Sequence, residues 1–133
     1  MASIDMWGVA HEKGSEAARH MTRMRHPLEN AACADDIYEY PLPDFRAVDV
    51  ERLSAECAAI KASDRLCIGQ MQMTIWEMAW YLRGMENLMM DMMSDEEMAD
   101  ALLDRITETA VIRSRNFARA GVDAIYLGDD IGM

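Results

Sequence analysis

Two adjacent aspartates, Asp129 and Asp130, have the residue type and the position for acid–base chemistry. They follow the apolar run VDAIYL at 122–127, and Gly128 and Gly132 flank them. Two carboxylates in one cleft repel each other, which raises one pKa and produces an acid and a base. Successive residues of an extended chain point apart, so one carboxylate in a cleft is favoured over two. Flanking glycines would let a ligand approach closely, yet a polar turn without chemistry explains the pattern equally well.

Three further polar side chains are associated with a second apolar run, RLCIGQM at 65–71. Gln70 and Gln72 stand at the end of this run, and Tyr81 lies one turn into the helix predicted to follow it. The glutamines can aim at a ligand from the end of the strand, and the phenol of Tyr81 can reach over the strand ends from the helix. Glutamines are also ordinary loop residues, however, and a tyrosine can simply pack its ring. We therefore name Asp130 and Asp129 as candidate catalytic residues, and Tyr81, Gln70 and Gln72 as candidate substrate-binding residues.

No metal site is predicted from the histidines and cysteines. The chain contains His11, His20, His26, Cys33, Cys57 and Cys67. The histidines lack the H-x-x-x-H spacing of a zinc-binding helix face, and the cysteines lack C-x-x-C spacing. Reduced thiols are typical of cytoplasmic proteins, so we predict a cytoplasmic location.

Local patterns predict the elements that would position the candidate residues. Residues 1–48 lack a clear periodicity and are interpreted as an irregular segment. From Asp49, a plausible helix N-cap, the predicted order is helix, strand, two helices and strand. Capping boxes at 74–77 and 94–97 open the second and third helices, and Gly84 marks a kink. Gly121 is placed to end the last helix.

This order predicts an α/β fold with parallel strands joined by right-handed crossovers. In open parallel sheets and in barrels, ligands bind at the loops that follow the carboxyl ends of the strands. Both groups of candidate residues stand at such ends, which is the main support for a functional interpretation.

Composition excludes several classes of function. The 133 residues carry a formal net charge of −11, which argues against nucleic-acid binding and against an anionic membrane surface. No uncharged apolar run is long enough to span a membrane. The 14 methionines mostly occur at helical spacing, and we expect them to fill gaps in the core or to line a large ligand pocket.

Two stretches carry a resemblance to a known family. WEMAWYLRGMENLMMDMMSDEEMADALLDRI and FARAGVDAIYLGDDIGM resemble the middle of the uroporphyrinogen decarboxylase family, whose superfamily also contains corrinoid-dependent methyltransferases. MWGV, HPLENA and YPLPDF resemble the segment this family carries between its second and third barrel strands. The resemblance implies that residues 1–133 form a single partial domain. This partial domain would correspond to the part of a (β/α)8 barrel that runs from after strand 2 to just after strand 4.

The resemblance also implies a function, and it carries over two positions of the family. Trp76 and Tyr81 match the family's W-x-x-x-x-Y spacing, in which the tyrosine contacts a substrate carboxylate. Asp130 falls where the decarboxylase has a carboxylate-binding serine, a departure that favours a divergent or methyltransferase-like member. The implied activity is decarboxylation of tetrapyrrole acetate side chains without a cofactor. An alternative is methyl transfer that uses zinc and a corrinoid protein partner, and another is a fragment without catalysis of its own.

The implied partners are a small-molecule tetrapyrrole or a corrinoid protein, and a homodimer is possible. The arginine-bearing loop and the strand-2 aspartate of the decarboxylase would lie outside this chain, as would the zinc ligands of the methyltransferases.

Overall fold

A computed structural model describes residues 3–14, 16–18 and 22–131. The strands are β1 (Ser3–Ile4), β2 (Ala10–Lys13), β3 (Thr22–Arg25), β4 (Ile68–Gln72) and β5 (Ala124–Gly128). The α-helices are α1 (Ala34–Glu39), α2 (Val50–Ala62), α3 (Trp76–Arg83), α4 (Met85–Ser94) and α5 (Glu96–Ala120). Short 3₁₀ helices occupy Glu16–Ala18 and Phe45–Ala47. None of the helices within the described ranges is long and apolar enough to cross a membrane.

The predicted alternation of helices and strands is confirmed from α2 to β5, but three helices, not the two predicted, lie between the strands. β4 and β5 pair in parallel, with a register that runs from Ile68 opposite Ala124 to Gln72 opposite Gly128. The α3, α4 and α5 helices form the crossover between these strands. Because the two strands run the same way, their carboxyl ends lie side by side, as the sequence predicted.

The long helix α5 covers one face of the β4–β5 pair. Met71 of β4 is buried on that face, and the hydroxyl of Ser114 on α5 donates to its sulfur at 3.3 Å. Gly69 lies so close to Phe117 that a Cβ atom built there would stand 2.6 Å from the ring. The opposite face is open among the described residues, since Ile68 is 55% exposed and Tyr126 is 52% exposed.

The first 48 residues are more regular than the sequence indicated. β1, β2 and β3 form an antiparallel sheet in that order. Between β1 and β2 the chain turns, because the Asp5 carboxylate accepts hydrogen bonds from the amides of Trp7 and Val9. β2 and β3 are polar strands joined in part by an ion pair between Arg25 and Glu12, so they carry no apolar alternation to detect.

Most of the predicted helix ends are confirmed. Asp49 caps α2 by accepting from the amide of Arg52 at 3.0 Å, and Gly121 ends α5 in the left-handed conformation. Gly84, with φ +86, does more than kink one helix, since it separates α3 from α4. The predicted box at 94–97 was shifted by one residue, because Asp95 caps α5 through the amide of Met98.

The core lies where α1, α3, α4 and α5 meet the amino-terminal segment. Its largest fully buried side chains there include Val9, Ile37, Met78, Leu82, Leu88, Leu102 and Ile106. Residues from the first 48 are therefore part of the same core as the crossover helices. This packing holds α3, whose first turn lines the cleft at the strand ends, against the amino-terminal segment.

Candidate functional site

A cleft of about 410 Å³ opens at the carboxyl ends of β4 and β5. It is lined by Gln72, Glu77, Tyr126, Leu127, Gly128, Asp129 and Asp130. The cleft therefore collects side chains from the end of β4, the first turn of α3 and the end of β5. This is the location at which parallel α/β sheets bind ligands.

The side chain of Asp129 accepts hydrogen bonds from the first turn of α3. Its Oδ2 accepts from the amide of Ile75 at 2.9 Å, and its Oδ1 accepts from the amide of Glu77 at 3.0 Å. These amides have no partner within the helix, and a negative charge at a helix amino terminus is also favoured by the helix dipole. Asp129 therefore acts as the cap of α3 and joins the end of β5 to that helix.

The predicted capping box between Thr74 and Glu77 was wrong. Thr74 is buried, and its hydroxyl donates to the carbonyl of Met71 instead of accepting from α3. Its amide donates to the carbonyl of Gly128 at 3.1 Å. Because Asp129 supplies the cap, the Glu77 side chain is free to line the cleft.

Glu77 is the residue that sequence reasoning missed. Burial raises the pKa of its carboxyl, and the carboxylates of Asp129 and then Asp130 raise it further. The group is thus more ready to hold a proton than an ordinary glutamate. Its position in the first turn after a strand was a usable signal, but the capping interpretation already accounted for it.

Asp129 and Asp130 differ in their surroundings. Asp129 is half-buried against the α3 amides, whereas Asp130 is exposed on the cleft. Only Asp130 is therefore an exposed carboxylate available to a ligand, an arrangement in line with the expectation that one of two adjacent carboxylates serves the cleft. A catalytic role for either residue stays a prediction.

The two glutamines lie next to each other on the open face of β4. Gln70 Nε2 donates to Gln72 Oε1 at 3.3 Å, and Gln70 is paired with Tyr126 across the strands. Gln72 lines the cleft, and Gln70 is set back from it along the strand. A ligand in the cleft would reach Gln72 first.

Tyr81 lies one helical turn beyond Glu77 and outside the cleft lining. Burial raises the pKa of its hydroxyl, and Glu77 and Asp5 raise it further. Its ring packs edge-on against Trp80 with centroids 4.2 Å apart. Tyr81 is therefore electrostatically coupled to the cleft through Glu77, while its predicted contact with a substrate stays a prediction.

The described histidines and cysteines have other partners. His11 pairs with Asp5 at 2.9 Å, and His26 Nδ1 is 2.8 Å from the carbonyl oxygen of Tyr81. Cys57 donates to the carbonyl of Gly121, and Cys67 precedes β4, so both lie near the amino ends of the strands. His20 and Gly132 fall outside the described residues. Across the described ranges, no three histidine, cysteine, aspartate or glutamate side chains are grouped to hold a metal.

Comparison with known proteins identifies the family. The model of the uroporphyrinogen decarboxylase (URO-D) family matches residues 11–133. No curated protein and no solved structure gave a match. The matched range includes all five α-helices, both parallel strands and every residue of the cleft. The chain therefore belongs to the uroporphyrinogen decarboxylase family.

Proposed function

We propose that β4 and β5 are neighbouring strands of a (β/α)8 barrel, the third and fourth in its order. Their parallel pairing, the helices on one face and the cleft at the carboxyl ends support this proposal. The open face supports it too, because Ile68 and Tyr126 would pack inside a barrel. The barrel itself is inferred from the family to which the chain belongs.

The proposed function is catalysis on a tetrapyrrole or a corrinoid-linked substrate, with decarboxylation of a tetrapyrrole acetate as the leading reaction. The single observation that carries the proposal is that Glu77 and Asp130 line one cleft at the strand ends and interact electrostatically. One group is inclined to hold a proton and the other is an exposed carboxylate. Such a pair can donate a proton and stabilise the positive charge that results.

In this reaction protonated Glu77 would transfer its proton to a ring carbon of the pyrrole that bears the acetate. The pyrrole becomes a cation, and the carboxylate of Asp130 stabilises that charge. The bond to the carboxyl carbon then breaks, CO2 leaves, and the electron pair returns to the ring. A proton taken up at the exocyclic carbon then forms the methyl group, and the ring carbon returns its first proton to the Glu77 carboxylate, which restores both the aromatic pyrrole and the protonated acid. Gln72 is placed to orient the substrate by hydrogen bonding.

A second candidate is methyl transfer within the same superfamily. The observation in its favour is that the cleft lining contains two aspartates and a glutamate and no lysine or arginine. Substrate carboxylates would be repelled there unless other groups neutralised them. Zinc, when bound, would activate a thiol for this reaction, but the described residues offer no group of ligands for it. No step of the mechanism is therefore assigned to zinc in this chain.

The two candidates are separated by parallel assays on the purified protein. Uroporphyrinogen labelled in its acetate carboxyls reports decarboxylation as labelled CO2, and methylcobalamin with a thiol acceptor reports methyl transfer. We expect CO2 release that Glu77→Gln and Asp130→Asn each lower by about 100-fold or more. Asp64→Asn, an exposed substitution remote from the cleft, is the matched control. Methyl transfer without CO2 would select the second candidate, and absence of both activities would overturn the proposal.

A further inference from the structure

The helix α4 exposes methionines where a surface helix normally carries polar residues. Its buried side contributes Leu88 and Asp91 to the interior. Its outer side carries Met85, Met89, Met90, Met92 and Met93, all between 43% and 84% exposed. The expectation that the methionines chiefly fill the core was therefore wrong for this helix. A contiguous apolar patch of this kind marks an interaction surface in soluble proteins.

Part of this patch forms a groove between α4 and α5. The groove has a volume of about 570 Å³. Met92 and Met93 form its α4 side, and Ala99 and Leu103 of α5 form its apolar floor. Methionine is flexible and polarizable, so a methionine wall adapts to the side chains of a partner helix. An apolar groove between two helices is the geometry that receives one face of an amphipathic helix.

The charge around the groove is of one sign. Residues 84–104 contain seven acidic side chains and no lysine, arginine or histidine: Glu86, Asp91, Asp95, Glu96, Glu97, Asp100 and Asp104. Among the residues that the structure describes, only Asp91 of these seven has an ion-pair partner, the buried Arg83. Glu96 and Asp100 lie directly on the groove. The rim therefore presents unneutralised negative charge beside apolar surface.

We propose that this groove binds a basic amphipathic helix of a partner protein. The methionines would cover the apolar face of that helix, while Glu96 and Asp100 would pair with its lysines or arginines. A second copy of this chain fits less well, because its own groove carries the same negative rim. An anionic lipid surface is repelled for the same reason. The proposal is independent of the reaction at the strand ends, because it concerns a different surface.

The test uses two helical probe peptides on the full chain with methyl-labelled methionines. One peptide is an amphipathic helix with leucines on one face and lysines on the other, and the second peptide replaces each lysine by glutamate. We expect the lysine peptide to shift the methyl resonances of α4, to bind more weakly at higher salt, and to bind at least about tenfold more tightly than the glutamate peptide. Equal binding of the two peptides would overturn the proposal.

Two variants locate the binding surface. The double variant Met92→Gln/Met93→Gln and the charge variant Glu96→Gln/Asp100→Asn should each weaken binding of the lysine peptide by about tenfold. Met6→Gln is the matched control, because Met6 is also exposed and lies outside the patch. Unchanged binding in both double variants would reject the groove. If sedimentation shows a dimer that Met92→Gln/Met93→Gln dissociates, the groove binds a second copy of the chain and not a partner helix. If anionic vesicles bind at the same methionines, the groove binds a membrane surface instead.

Discussion

The carboxylate of Asp129 accepts a hydrogen bond of 3.0 Å from the backbone amide of Glu77, although 52 residues separate them in the chain. The same carboxylate accepts from the amide of Ile75. The loop after β5 thus provides the cap that α3 lacks in its own sequence. Because this contact sets where α3 begins, it also sets where the Glu77 side chain meets the cleft.

Asp129→Ala should destabilise the protein by about 1–2 kcal/mol, because two helix amides lose their acceptor. Urea denaturation of the purified variants measures this change. Asp130→Ala is the control, since Asp130 is exposed and serves no cap, and it should change the free energy of unfolding by less than about 0.5 kcal/mol. Equal effects of the two substitutions would contradict the capping role of Asp129.

Glu77 should titrate above the range of an ordinary glutamate, because burial and the carboxylates of Asp129 and Asp130 raise its pKa. Isotope-edited NMR of the Glu77 side chain carboxyl follows this titration. Asp130→Asn should lower the pKa of Glu77 while leaving the cap of α3 in place. An unchanged titration in Asp130→Asn would show that the two carboxylates do not interact.

The raised pKa of Glu77 also has a consequence for stability. The folded state binds the proton more tightly than the unfolded state, so this group favours folding below its unfolded pKa. That contribution is lost as the pH rises through the folded pKa. Glu77→Gln removes the titration, and its stability relative to the wild type should therefore increase over the same pH range. A constant difference between the two proteins from acid to neutral pH would contradict the assigned shift.

The parts of the fold that were predicted depend on local signals. The cap of α2 at Asp49 and the left-handed Gly121 at the end of α5 are each encoded within a few residues, and both are present. The parallel pairing of β4 and β5 followed from the order of elements, because strands joined by helical crossovers run the same way. Gln72 and Asp130 were identified as strand-end residues by the same rule.

The parts that were not predicted depend on contacts between distant residues. Nothing in the sequence near Thr74 indicates that Asp129 will cap α3, so a local capping box was the simpler interpretation. That interpretation assigned Glu77 to the cap, and its position in the cleft was therefore not predicted. The amino-terminal sheet is held by polar pairs such as Arg25 with Glu12, which produce no apolar alternation. Gly84 could be recognised as a break in a helix, but the sequence does not show that, with a φ of +86, it ends α3 and begins α4.

Arg83 and Asp91 form a buried pair whose loss should be costly. Arg83 Nε donates to Asp91 Oδ2 at 2.7 Å, and Nη2 donates to Oδ1 at 3.2 Å. Arg83 also donates to the carbonyl of Leu28, which ties the amino-terminal segment to α3. Asp91→Ala leaves a buried guanidinium without its counter-charge, so we expect a loss of about 3–5 kcal/mol in unfolding free energy.

Thermal and urea denaturation measure the effect of Asp91→Ala. Glu56→Ala is the matched control, because the Arg52–Glu56 pair is also formed within the chain but is exposed. Its loss should cost about 0.5 kcal/mol or less. A similar cost for both substitutions would show that burial of the Arg83–Asp91 pair does not determine its importance.

Gly69 and Phe117 determine how closely α5 approaches β4. A Cβ at Gly69 would stand 2.6 Å from the Phe117 ring, so Gly69→Ala forces the ring or the helix to move. We expect this substitution to cost about 1–3 kcal/mol of stability. Phe117→Leu in the same chain should recover about 1 kcal/mol of that cost, because the smaller side chain leaves room for the methyl group.

A double-mutant cycle in urea measures the coupling. Phe45→Leu, at the other phenylalanine of the chain, is the control and should be additive with Gly69→Ala. Additivity of Phe117→Leu as well would mean that this contact does not set the distance between α5 and the sheet.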